Sequence, residues 1–217
     1  MNTPASKPKL KILVSSTVYG VEELLDRVYA LLIGYGYEVW MSHKGTFPVR
    51  SNRSAFDDSL AAVDECDLFL GIITPQYGSG QDKIHDPDGL SIFHREIRRA
   101  IELKKPRWIL AHENVVFARL LLNKLGHKGK EGREPLRKLK ITHPVDLRVL
   151  DVYEEVIKDK ESIPVGKRIG NWAQKFHDTK DASVFVDAQF FRYQEVEKFV
   201  EENFSSGSPL LREGGEK

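Results

Sequence analysis

Six consecutive apolar residues, Leu68-Phe69-Leu70-Gly71-Ile72-Ile73, constrain the fold more than any other stretch of this chain. The run is far shorter than the roughly 20 apolar residues that span a bilayer. Asp67 and Thr74 bound it at strand length. It lacks apolar–polar alternation, so both faces of the strand must be covered. That is the situation of a central strand in a parallel sheet, with helices on either side. Parallel neighbours need crossover connections, each usually a helix.

The flanking sequence supplies them. Leu10 to Val14 is another short apolar run, broken only by Lys11, and Ser15, Ser16 and Thr17 follow as N-cap candidates. Val21, Leu24, Leu25, Val28, Leu31 and Leu32 recur at helical spacing, with Glu22 and Glu23 at the end where the helix dipole favours acids. Gly34 and Gly36 close that helix, and Tyr37 to Met41 reads as a strand. Ser54 and Asp57 resemble a capping box opening a helix through Leu60 and Val63. Beyond the Leu68–Ile73 strand, Thr74 to Leu90 is a long loop with three glycines. A helix from about Ser91 to Lys104 and a strand from Arg107 to Ala111 continue the series. This alternation predicts an α/β fold with a three-layer parallel sheet. We assign it the flavodoxin-like order 2-1-3-4-5, which the alternation by itself does not fix.

The second half is less regular. Val115 to Leu125 and Val149 to Ile157 carry helical patterns, and Trp172 to Phe176 is a further helix candidate. Gly126 to Arg133 reads as a flexible basic loop. Ser183 to Val186 is the candidate last strand and Tyr193 to Phe204 the last helix. Residues 1–9 then form a flexible N-terminus, and residues 10–204 one domain with a mostly helical insertion at about 124–182, before the last strand. Residues 205–217, rich in Ser, Gly and charge, read as a disordered tail or linker.

Charge narrows the partners. Thirty-three Lys and Arg balance 32 Asp and Glu, so nothing in the balance calls for nucleic acid or an anionic membrane. The one cysteine, Cys66, sits in an apolar setting, as a buried structural thiol would, and fits a reducing, cytoplasmic compartment. The start of the chain has no apolar signal-peptide core. The seven histidines are scattered, so no metal site is expected.

In doubly wound sheets, ligands lie beyond the carboxyl ends of the strands at the switch point. Here those ends supply Ser15, Ser16, Thr17 and Tyr19 after the first strand, and Tyr77 and Gly78 after the third. Hydroxyls and N–H groups there can hold phosphate, the tyrosines can stack on a ring, and glycine admits close backbone approach. The same residues equally make an N-cap and a turn. No Walker A or G-x-G-x-x-G motif follows the first strand, so a P-loop or Rossmann cofactor role is unsupported. On the third helix, Phe93, Ile97, Ala100 and Ile101 form the core stripe, and Glu96 falls on its border. Such a carboxylate can point into a crevice and stabilise a cationic transition state, or it can pair with Arg99 or Arg95 on the surface. His94, two residues earlier, is expected to face solvent. Trp40 reads as core, with His43 at the rim.

Three segments carry a family resemblance. Lys11-Ile12-Leu13-Val14-Ser15-Ser16-Thr17 resembles the opening strand of the DUF4062 family, a TIR-like domain. Cys66-Asp67-Leu68-Phe69-Leu70-Gly71-Ile72 with Gln76-Tyr77-Gly78 resembles its third strand and following loop. Phe93-His94-Arg95-Glu96-Ile97 resembles the segment bearing the catalytic glutamate of NAD-cleaving TIR domains, and the glutamate helix of nucleoside 2-deoxyribosyltransferase-like proteins. The resemblance implies hydrolysis of NAD+ or a related nucleotide at the N-glycosidic bond, in signalling or defence. Glu96 would be catalytic, with Ser15, Ser16, Thr17, Tyr19, Tyr77, Gly78 and Phe93 binding the substrate. NAD+ is then substrate, and no cofactor is implied. The resemblance also allows a non-catalytic interaction module, or a deoxyribosyltransferase or N-glycosidase. The implied partners are copies of the same chain or a larger signalling protein.

Overall fold

The computed structural model describes residues 8–78, 80, 89–139, 144–158 and 163–204. The flexible N-terminus expected for residues 1–9 falls mainly outside the described residues, as does the tail at 205–217. Five strands, β1 (Lys11–Ser16), β2 (Glu38–Trp40), β3 (Leu68–Ile73), β4 (Arg107–His112) and β5 (Gln174–Phe176), form one parallel sheet. Their order is β2-β1-β3-β4-β5, the flavodoxin-like arrangement. The chain leaves β1 toward β2 and returns to place β3 on the other side of β1, so the switch point lies between β1 and β3.

The β3 run is buried along its whole length, as its composition requires. Leu68, Leu70 and Ile72 pack in a cluster with α1 (Glu22–Gly34), α7 (Thr179–Phe190) and α8 (Tyr193–Phe204). Phe69 and Ile73 pack on the opposite face with α2 (Ala55–Glu65), α3 (Ile92–Glu102) and α6 (Leu147–Ile157). Gly71 lies under α3, where a Cβ would stand 2.8 Å from the terminal methyls of Ile97 and Ile109. Its missing side chain lets α3 sit close to the sheet, and that closeness brings Glu96 to β1.

The connection from β4 to β5 holds α4 (Glu113–Lys124), α5 (Gly129–Arg137) and α6. Four expectations are corrected, three of them in this half. The last strand is Gln174–Phe176, within the stretch expected to be helical. It has only three residues, paired with Leu110 to His112, which is too short for any periodicity to register. Ser183–Val186 lies inside α7, where Ala182, Val186 and Phe190 recur every fourth residue on the buried face. Asp178 starts that helix, accepting from the Asp181 N–H at 2.9 Å. The basic loop at 126–133 is largely α5, and Arg133 is fully buried in it. Arg133 donates to Asp151 at 2.6 Å and to Glu154 at 2.7 Å on α6. Finally, Ser15, Ser16 and Thr17 cap nothing: α1 begins at Glu22 with Val21 at its N-cap, without a side-chain cap bond.

Among the described residues no helix is long and apolar enough to cross a membrane. Cys66 is free and buried, and that burial pushes its thiol up to about 12, so it is inert at neutral pH.

Candidate functional site

The carboxyl ends of β1 and β3, the segment after β2, and the first turns of α2 and α3 enclose a cleft of about 510 Å³. It lies at the switch point. Ser16, Thr17, Tyr19, Gly78, Phe93 and Glu96 line it, as do Ser42, His43, Phe47 and Ser59. Glu96 is the sole carboxylate among the described lining residues, which include no lysine or arginine.

Glu96 is 8% exposed. Ser15 donates its hydroxyl to the Glu96 carboxylate at 2.5 Å, and Ser59 of α2 hydrogen-bonds the same group. Burial nonetheless dominates and pushes the Glu96 carboxyl up to about 7, against the downward pull of the two serines. Arg99, the surface partner considered for Glu96, instead meets Asp64 at 2.7 Å. Among the described residues no cation neutralises this carboxyl.

The neighbouring hydroxyls are already engaged. Ser16 donates to the Ile72 carbonyl at 3.0 Å, and the Thr17 and Thr74 hydroxyls bond each other, tying the β1 and β3 ends together. Gly78 packs against Thr17 with φ +85°, and a Cβ there would stand 2.8 Å from the Thr17 methyl. Gly78→Ala therefore combines left-handed strain with a clash. It is expected to cost about 1–3 kcal/mol in urea denaturation.

Two of the expected substrate contacts do not reach the cleft wall. Ser15 is buried behind Glu96. Tyr77 is 3% exposed, and its hydroxyl bonds His94 Nδ1 at 2.7 Å. His94 is itself buried, contrary to the solvent-facing expectation, because α6 covers that side of α3. Its Nε2 lies 3.2 Å from Glu155 of α6, which also accepts two bonds from Arg98. Burial pushes the Glu155 carboxyl up, but hydrogen bonds from His94 and Arg98 outweigh it and bring it down to about 2. This second network fastens α6 to α3 on the side away from Glu96.

Residues 11–183 match a protein family described as a domain of unknown function (DUF4062). The chain belongs to the DUF4062 family. No curated protein matches it. The DUF4062 match runs from the start of β1 into α7, so it takes in all five strands and every described lining residue of the cleft.

His43 lines the cleft of this DUF4062 domain at the rim position expected from sequence, and Ser42, Phe47 and Ser59 line it beyond the residues expected. Ser59 was legible: it precedes Ala62 and Val63 by three and four residues on the buried face of α2, a polar side chain on an apolar stripe. Phe47 carried no local signal. His43 follows β2 in a short 3-10 helix, Ser42–Lys44, and its Nε2 lies 2.9 Å from Asp26 of α1.

Proposed function

We propose that this domain hydrolyses NAD+, or a closely related nucleotide, at the bond between its cationic base and ribose. The observation that carries the reading is Glu96: a buried carboxyl at the switch-point cleft, held by two serines and, among the described residues, left without a cation. A structural carboxyl buried this way would normally have a counter-charge. The missing charge matches a substrate that brings its own. The pyridinium of NAD+ is cationic, and the ribose develops oxocarbenium character as nicotinamide departs. A fixed carboxylate stabilises both. Phe47 and Phe93 line the same cleft and bring aromatic rings to the cation's surroundings.

The phosphates have no lysine or arginine among the described lining residues. In this reading they extend past Tyr19 to the first turn of α1, whose N–H groups have no side-chain cap. Bond breaking sends the electron pair to the nicotinamide nitrogen, so no strong acid is required. Water oxygen then attacks ribose C1′ and passes its proton to a base. His43 suits that step: Asp26 holds Nε2, and Nδ1 makes no hydrogen bond among the described residues. His43→Ala is expected to slow hydrolysis about 10²-fold. It should spare exchange of labelled nicotinamide into NAD+, which needs cleavage but no water. Equal loss of both would remove His43 from this role.

The test of the function is nicotinamide release from NAD+ at high protein concentration, wild type beside Glu96→Ala. Release by wild type alone supports the proposal, and equal release by both refutes the assignment of Glu96. A second reading is a non-catalytic interaction module. It is favoured by Phe117, Leu120 and Leu121 of α4 and Leu125 just after it, which form an exposed apolar stripe. Self-association without nicotinamide release would select it.

A further inference from the structure

The sheet has a second opening, at the opposite end of β4 from the cleft. β5 pairs only with Leu110 to His112, so Arg107 to Ile109 run on past it without a neighbour on that edge. A cavity of about 430 Å³ fills the gap, walled by Trp108, Phe185 and Gln189 and by Trp172 of the loop before β5. Trp172 is 73% exposed, an unusual setting for an indole.

The charge around this cavity is unbalanced. Arg107 lines it, yet its guanidinium meets only backbone: Nη2 donates to the Gly170 carbonyl at 2.9 Å and Nη1 to that of Lys105 at 3.4 Å. Its Nε is buried and has no partner. Lys158, at the end of α6, donates to the adjacent Ile169 carbonyl at 2.7 Å. Burial, and after it repulsion from the Arg107 charge, lowers the Lys158 ammonium. Among the described residues neither cation has a carboxylate partner. Carbonyl dipoles hold the two side chains in place but leave their charge uncompensated.

We propose that this cavity binds a planar aromatic ring carrying an anionic group, with the ring against the indoles of Trp172 and Trp108 and the anion facing Arg107, whose positive charge Lys158 reinforces from the neighbouring carbonyl. Ring stacking on indole and attraction of the anion to the Arg107 guanidinium, which has no carboxylate partner among the described residues, supply the two halves of the recognition. The site is independent of Glu96 and of any activity in the cleft. A phosphate and a carboxylate satisfy the same geometry, so the two sources are separated by probe.

Isothermal titration calorimetry with adenosine monophosphate and with 4-hydroxybenzoate tests the site, with adenosine and inorganic phosphate as controls. Binding of the first probe alone assigns a phosphate ligand, and of the second alone a carboxylate. The ring-free and charge-free controls are expected to bind at least about tenfold more weakly. Trp172→Ala removes an exposed ring, and Lys158→Asn tolerates the left-handed φ of 49° at that position. Each is expected to weaken binding about tenfold, while Glu96→Gln leaves it unchanged. No heat from either probe overturns the site, as does binding that both cavity variants leave intact.

Discussion

Glu96→Gln is expected to lower nicotinamide release by about two to three orders of magnitude while making the protein more stable at pH 8. The two effects share a cause. Burial pushes the Glu96 carboxyl up to about 7, whereas in the unfolded chain it titrates near 4.5. Below 4.5 both states hold the proton and the group is neutral to stability. Between 4.5 and about 7 the unfolded chain has released the proton and the native state has not, so stability falls as pH rises. Above about 7 the penalty is complete, on the order of 3 kcal/mol. Glutamine carries no charge at any pH, and its carbonyl still accepts from Ser15. Urea denaturation of both proteins between pH 4 and 8 checks this. The wild type should lose stability across the window relative to the variant, and parallel curves would contradict the assignment. Activity should respond in the opposite direction, kcat/KM rising through about pH 7 as Glu96 ionises. A gain in stability with a loss of turnover marks a site where function is held against folding.

Arg133→Ala is expected to destabilise the insertion by about 3–5 kcal/mol. Arg133 is fully buried and is the one buried residue of α5. That helix also contains two glycines and a proline, so it has little intrinsic stability. Its attachment to α6 is the ion-pair network: Arg133 to Asp151 and Glu154, Arg137 to Asp151 at 2.5 Å, and Arg119 of α4 to Glu154 at 3.2 Å. Removing Arg133 leaves a cavity and strips the shared partner from two carboxylates that are 13% and 16% exposed. The loss should be local. Hydrogen exchange should show α5 opening while the strands stay protected. Unchanged protection across residues 129–137 would mean that the network contributes little there.

The alternation of apolar runs and helical stripes was legible because each element on the first four strands buries enough of itself to show its period. β3 buries all six residues, and α3 presents Phe93, Ile97 and Ala100 to the sheet. β5 failed because three edge residues carry no pattern, and α5 failed because its buried face is an arginine. Arg133 looked like a solvated cation, and its partners lie 18 and 21 residues away on another helix. His94 was misplaced for the same reason. The helix that buries it comes from the insertion, some 57 residues beyond its neighbour Arg98, and nothing local announces that helix.

From sequence alone came the parallel sheet and, for the flavodoxin-like order assigned to it, the end at which a ligand would lie. These follow from local periodicity and the chain's few ways of connecting parallel strands. The order itself is decided by β1 pairing with both β2 and β3. Glu96 also came from sequence: its place on the border of an apolar stripe left the crevice and surface readings open, and the family resemblance of its segment singled it out. Whether that carboxyl sat in water or in the protein was a tertiary matter. α2 brings Ser59 against it, Gly71 lets α3 down onto the sheet, and Ser15 meets it from β1. A carboxyl's proton affinity is set by what surrounds it within a few ångströms. Here those surroundings come from residues 37 and 81 positions away in the chain, so only the folded structure could decide them.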